Sequence, residues 1–196
     1  MDLTTRQQEI INVSIFLIAD KGIQSLTMKN ISQAIGISEP AIYRHFKNKF
    51  EILMTLLDTF EIIAADVLNS QEIKNMNSLE KIEFFLMDRY RRCSENPKLA
   101  KLMFSEENFQ DDERLAKKVL SIMHAHKSEM HKIISAGQSN GEIRADIDSL
   151  SLFRIIFGPM RLLIKQWGLS GCGFNLIEEG KKLWKAENKM LTPQVK

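Results

Sequence analysis

The feature that most constrains this 196-residue chain is how closely helix starts and stops follow one another between Thr4 and Leu53. Thr4 and Thr5 each stand three residues before a glutamine, Gln7 and Gln8. In that register a hydroxyl and an amide side chain satisfy each other's helix-terminal N–H groups. Ile10, Ile11, Ser14, Leu17 and Ile18 follow at helical spacing, and Gly22 stops the helix. Thr27 caps a second helix carrying Met28, Ile31 and Ile35, which Gly36 closes after about two turns. Ser38 caps a third helix from Glu39 to Phe46, with Ile42 and Phe46 inward. Asn48 caps a fourth, with Phe50, Leu53, Leu56 or Leu57, and Phe60 on one side. Two short helices joined by a tight glycine turn and braced by longer ones form a helix-turn-helix. Caps, stops and stripes all support that one arrangement.

Beyond about residue 70 the pattern changes. Asn69-Ser70 and Lys74 to Ser78 make a polar break, after which helical stripes resume at about 78–95, 97–107, 111–140, 147–169 and 174–191. With four prolines, nine glycines and no strand-type alternation, helix is favoured throughout. The expected fold is therefore all-α, with about nine helices. A small helix-turn-helix module at 1–54 precedes a larger helical bundle at 55–196. No window of about 18 apolar residues argues for a membrane span. The N-terminus lacks the basic-then-apolar pattern of a signal peptide. Cys93 and Cys172 are far apart and fit neither a disulfide framework nor a metal spacing, so a reduced, cytoplasmic protein is expected.

The net charge of +2 resides entirely in residues 1–50, where six Lys or Arg face four Asp or Glu; the remainder balances. That excess favours an anionic partner for the N-terminal module. A helix entering a major groove presents its first turns to base edges. Glu39 is placed to accept from a cytosine amino group, and Arg44 to reach guanine or a phosphate. Pro40 and Ala41 allow close approach and can touch a thymine methyl. Thr27, Ser38, Tyr43, His45 and Lys49 offer donors suited to phosphates, which set register rather than sequence. Lys49 in a first helical turn opposes the helix dipole, an arrangement easier to understand if a phosphate arrives there. The plainer alternative stays open: Tyr43 can pack on the first helix, and Thr27 and Ser38 can be caps and nothing more.

The segment LTMKNISQAIGISEPAIYRHFKNKFEIL, Leu26 to Leu53, closely resembles the DNA-binding signature of TetR/AcrR-type transcriptional regulators. Thr27, Met28, Ile31, Ala34, Gly36, Ser38, Ile42, Tyr43, His45, Phe46, Asn48, Lys49 and Leu53 carry the match, and Arg6 to Gly22 is similar to the family's first helix. Ser32, Ile35 and Phe50 depart from it in ways that alter packing. The resemblance implies a sequence-specific DNA-binding regulator, a ligand-released homodimeric repressor acting on a near-palindromic operator. Its larger domain would dimerise and bind a small-molecule effector.

Ser151 to Leu169 is independently too apolar for a helix with one covered face. Phe157, Met160, Leu163, Ile164 and Trp167, with Leu176, Leu183 and Trp184 of the last helix, are the expected dimer contacts, in a four-helix interface. The alternative is that both stripes serve only the internal core. Gly158-Pro159 should kink the first of these helices. Phe84, Met87, Tyr90, Met103, Phe104, Met123 and Phe153 are the candidates for an effector pocket, although Met and Phe at helical spacing more often form plain core. Arg89, Arg91 and Arg92 read either as facing an anionic ligand or as a solvated face. His124, His126 and His131 lack the i, i+4 spacing that suits metal ligands on a helix, so no metal is expected. No phosphate loop, nucleophile elbow or paired-acid motif points to an enzyme, and no cofactor is expected. The competing functional reading is a nucleoid-associated DNA-binding protein of the same fold that senses no small molecule.

Overall fold

The computed structural model describes residues 3–68 and 70–193, and Asn69 of the predicted polar break lies outside them. Among the described residues the chain forms nine α-helices and three short 3₁₀ turns, with no strand. The helices are α1 (Thr5–Lys21), α2 (Met28–Ile35), α3 (Glu39–Tyr43), α4 (Lys49–Leu68), α5 (Ser78–Glu95), α6 (Pro97–Met103), α7 (Glu113–Ser139), α8 (Ser149–Leu169) and α9 (Leu176–Leu191).

Local chemistry sets the boundaries of the first four helices. Thr4 and Gln7 form a reciprocal capping box, so the first of the two candidate threonines starts α1. Thr27 Oγ1 accepts the Asn30 N–H at 3.1 Å and starts α2. Gly36 ends α2 at φ 80° and ψ 33°, a left-handed conformation that glycine adopts without steric cost. Asn48 Oδ1 accepts the Glu51 N–H at 2.9 Å while the Glu51 carboxylate accepts the Lys47 N–H at 2.6 Å, starting α4.

The third helix differs from expectation. It ends at Tyr43 rather than Phe46, and Ser38 makes no side-chain cap bond. Phe46 is buried at 2% exposure, with its N–H on the Ile42 carbonyl at 3.1 Å. Asn48 must then leave helical geometry to cap α4, so α3 stops early. Likewise α6 ends at Met103 rather than near 107, and a 3₁₀ turn covers Glu106–Phe109.

Two apolar clusters hold the helices. The first joins α1 to α4 with Leu102, Phe109, Leu115 and Ile122, so packing is continuous across residue 54. The second gathers α5, α7, α8 and α9 around Leu86, Tyr90, Met130, Ile156 and Trp184. Helix α4 contributes to both, through Ile52 to Phe60 and then Val67. Pro159 lies inside α8, which continues through it. Among the described residues no helix is long and apolar enough to cross a membrane.

Candidate DNA interface and a cavity in the bundle

The helix-turn-helix places the predicted base-reading residues together on the outside of the module. Glu39, Pro40 and Arg44 are exposed and Ala41 is half-buried, while Ile42 on the same short helix is fully buried. Burial of Ile42 and Phe46 anchors one side of α3 and orients the other outward. Arg44 has no ion pair among the described residues, which leaves its guanidinium able to make a forked contact with guanine or phosphate. Of the phosphate candidates, Thr27, Ser38 and Tyr43 are exposed and His45 is half-buried. Tyr43 stands 52% exposed, so its ring does not pack into the core formed with α1. Lys49 is different: its Nζ donates to the Ile23 carbonyl at 2.8 Å, and partial burial lowers its pKa. Its ammonium therefore already braces the start of α4 against the loop after α1. Exposed Lys29 and Lys47, part of the positive excess of residues 1–50, extend the same module, as does exposed Gln33, which sequence reasoning missed because a lone polar residue on a helix surface carries no spacing signal.

In the larger bundle, a cleft of about 470 Å³, open on one side to solvent, lies between α4, α5, the end of α6 with the following 3₁₀ turn, α7 and α8. That volume lies within the usual range for small-molecule sites, roughly 300–1,000 Å³. Its walls are largely aromatic and aliphatic: Phe60, Phe85, Phe104, Phe109, Phe153 and Phe157, with Leu57, Met103 and Met123. Phe153 stacks on Phe157 with ring centroids 4.6 Å apart, and Phe85 meets Phe157 edge-on at 5.6 Å. Polar groups interrupt this lining. Arg89, Lys127, Arg154 and Arg161 face a single carboxylate, Glu106, a formal excess of three positive charges. Arg161 pairs with Glu106 at 2.5 Å. His124 and His126 also line the wall, and burial holds His126 well below the usual imidazole range, at about 4. His131 lies elsewhere, bonded to Ser149 at 2.7 Å, so the three histidines do not converge.

Four of the seven predicted pocket residues line this cavity: Met103, Phe104, Met123 and Phe153. Phe84, Met87 and Tyr90 do not; they pack into the second cluster, with Tyr90 fully buried against Gly180. The arginine run divides in the same way. Arg91 pairs with Asp88, and Arg92 Nε donates to the same carboxylate at 2.6 Å. Arg89, one residue round the helix, points inward at 4% exposure. Desolvation lowers its pKa, and no ion pair offsets its charge among the described residues.

The predicted dimer contacts also need correction. Phe157, Met160, Ile164, Trp167, Leu176 and Trp184 are buried inside the chain itself, because those stripes of α8 and α9 face α5, α7 and one another. Only Leu163 and Leu183 are half-exposed. The outward stripe of α8 instead carries Gly158, Leu162 and Leu169, and that of α9 carries half-exposed Leu183 and exposed Met190. Leu162, Leu169 and Met190 are 58%, 79% and 55% exposed.

An exposed short helix on a capped helix-turn-helix module, held by a long shared helix to a bundle with an apolar cavity, defines a helix-turn-helix regulator of transcription. Residues 10–55 match the model of bacterial regulatory proteins of the tetR family, and residues 61–186 match that of the C-terminal region of YsiA-like proteins. The chain belongs to the tetR family of bacterial regulatory proteins and is a DNA-binding transcriptional regulator. It is 24% identical over 183 residues to the nucleoid occlusion factor SlmA of Glaesserella parasuis serovar 5 (strain SH0165), covering 91% of this chain and 89% of that one. Among solved structures it resembles the fatty acid degradation regulator FadR of Bacillus halodurans, with a TM-score of 0.85 at 18% identity over 96% of this chain and 97% of the other. It also resembles FadR of Bacillus subtilis in complex with stearoyl-CoA, with a TM-score of 0.76 at 19% identity over 92% and 96%. At these identities the structural likeness speaks for the fold alone.

Proposed function

We propose that this protein is a cytoplasmic homodimeric repressor that leaves a near-palindromic operator when an amphipathic small molecule fills the cavity. Residues 1–54 act as the DNA-binding domain and residues 55–196 as the dimerisation and effector domain. Glu39, Pro40, Ala41 and Arg44 read base edges, while Thr27, Ser38, Tyr43 and His45 hold backbone phosphates and Lys49, whose ammonium donates to the Ile23 carbonyl, braces the start of α4 beside them. Two copies associate through the outward stripes of α8 and α9, burying Leu162, Leu169 and Met190. The two recognition helices then enter successive major grooves on the order of 34–36 Å apart.

The observation that carries this reading is the position of the cavity. Leu57 and Phe60 of α4 line it, and that same helix packs on the DNA-binding module through Ile52 and Leu53. Further links lie beside it. Lys118 of α7 pairs with Asp58 and Glu61 of α4 at 2.7 and 2.6 Å, and Lys101 of α6 donates to the Ala19 carbonyl of α1 at 2.5 Å. A ligand that favours one arrangement of α4, α6 and α7 therefore biases the placement of α3, and hence operator affinity. The aromatic wall with excess positive charge suits a long apolar chain bearing an anionic group. The stearoyl-CoA complex of the similar Bacillus subtilis regulator makes long-chain acyl compounds the first to try.

The test is a gel-shift titration of the purified protein on DNA upstream of its own gene, with and without stearoyl-CoA. Ligand binding with concomitant release of DNA supports the proposal. A ligand that binds in the cavity and leaves DNA affinity unchanged removes the coupling. The likeness to a nucleoid occlusion factor favours a second reading, DNA organisation without small-molecule sensing. Genome-wide binding separates the two: a few promoter sites fit a repressor, and many dispersed sites fit the alternative.

A further inference from the structure

Arg89 presents a problem that the overall reading leaves unsolved. Its side chain is buried at 4% exposure, and its Nη2 has no hydrogen-bond partner among the described residues. The neighbouring carboxylates are committed elsewhere: Asp88 to Arg91 and Arg92, Glu95 to Arg91, and Glu106 to Arg161. Asp88 still favours its charge at a distance, and the face of Phe85 lies with its centroid 5.1 Å from the guanidinium carbon. A cation over a ring gains some electrostatic attraction, but the ring accepts no fork of N–H donors. A buried, unpaired guanidinium is unfavourable for folding, so it implies a use.

Arg89 also sits where two spaces meet. Besides the large cavity, a smaller one of about 180 Å³ lies between α4, α5 and α6, with Arg92, Glu95 and Asn96 in its wall. Arg89 and Met103 belong to the walls of both. One side of this pair is mainly aromatic, and the other is more polar. His126, whose Nε2 is likewise unpartnered among the described residues, lines the aromatic side.

We infer that Arg89 is the receptor for an oxyanion at the head of a long-chain amphiphile, bound at the junction of the two cavities with its apolar chain in the larger one. This rests on the effector reading above and fixes the ligand's chemistry and orientation. The guanidinium fork takes two oxygens of a carboxylate or phosphate, with the Phe85 ring beside it. Met103, unbranched and pliable, yields at the junction as the head group enters. A free carboxylate and a phosphate of a larger head group share this chemistry, so the experiment includes both sources.

Isothermal titration of the full-length protein with hexadecanoic acid, hexadecanol and hexadecanoyl-CoA, each below its micellar concentration, provides the test. Wild type should bind at least one of the anionic compounds more tightly than the alcohol, by about ten- to a hundredfold. Arg89→Met should abolish that preference while retaining the alcohol. It should also melt at a higher temperature than wild type without ligand, since it removes a buried unpaired charge. Arg89→Gln, which keeps donors without charge, provides a second variant should the first misfold, and it too should lose the preference. Dependence on Arg89 by the acid identifies the oxyanion as a carboxylate; dependence by the CoA ester alone identifies it as a phosphate. Undiminished preference in both variants overturns the role of Arg89. Equal wild-type binding of acid, ester and alcohol overturns it while keeping an effector site. Failure of every amphiphile to bind overturns the effector chemistry as well.

Discussion

Replacing Gly180 with alanine sets two effects of opposite sign against each other at the seam between α5 and α9. Helix propensity alone favours alanine by about 1 kcal/mol in a helix interior. The structure argues the other way. A Cβ at Gly180 would lie 2.3 Å from Cδ2 and 2.4 Å from Cε2 of Tyr90, so about 1 Å of separation must open to restore van der Waals contact. The Tyr90 ring has nowhere to go: it is fully buried and packed in the second cluster with Leu86, Trp184 and Leu191. Overpacking of this kind costs about 1–3 kcal/mol, and a rigid aromatic neighbour puts it near the top of that range. The net effect should be a loss of about 2 kcal/mol, or a fall in Tm of about 4–8 °C for a chain of this size.

Thermal and urea denaturation monitored by helical circular dichroism measure it. Gly168→Ala, where an added Cβ meets nothing within 4 Å, is the control and should be neutral or slightly stabilising. In a Tyr90→Leu background the Gly180→Ala penalty should largely vanish, giving a coupling energy that isolates the clash. Because α9 carries Leu183 and Met190 outward, lifting it from α5 should also weaken dimerisation, read by sedimentation. Gly180→Ala as stable as wild type, or an unchanged penalty without the tyrosine ring, refutes the reasoning.

Arg44→Ala should cost roughly 1–3 kcal/mol of operator binding and relax discrimination at one base position, read by competition gel shifts; an equal loss on every sequence reassigns Arg44 to a phosphate. Leu162→Glu, on the outward stripe of α8, should shift the protein from dimer to monomer in sedimentation without lowering monomer helicity. A dimer that survives it places the interface elsewhere. Glu187 is buried with both carboxylate oxygens unpartnered among the described residues, and burial raises its pKa from 4.5 to about 7. Between those values the unfolded carboxyl has lost its proton and the folded one has kept it, so stability falls as pH rises through that window and then levels off. Glu187→Gln should remove that part of the decline and be more stable than wild type at pH 8; an identical pH profile would show that Glu187 does not contribute.

The N-terminal module was legible because its determinants are local. A threonine, an asparagine or a left-handed glycine acts on N–H and carbonyl groups within three or four residues, so Thr4, Thr27, Gly36 and Asn48 announce their roles wherever the helices later pack. The exposure of Glu39, Pro40 and Arg44 followed from the same register, with Ile42 and Phe46 marking the inward side. Even there, the early end of α3 depended on something less local, the demand that Phe46 reach the core before Asn48 caps the next helix.

Periodicity identifies an apolar face without saying what covers it. Phe157, Met160, Ile164 and Trp167 form as clear a stripe as any interface, and tertiary packing turned that stripe onto α5, α7 and α9. The exposed Leu162 and Leu169 lie on the other side of the same helix. Phe84 and Phe85 are adjacent in sequence and chemically identical, yet the 100° between successive helical positions leaves one half-buried at the edge of the second cluster and sends the other inward to the cavity wall. The same rotation separates Arg89 from Arg91 and Arg92, leaving it buried beside rings while they clamp Asp88. Residue chemistry and local register were properties of the chain itself. Which cation lost its solvent, and which side of α8 kept it, were settled only when five helices closed around a common space.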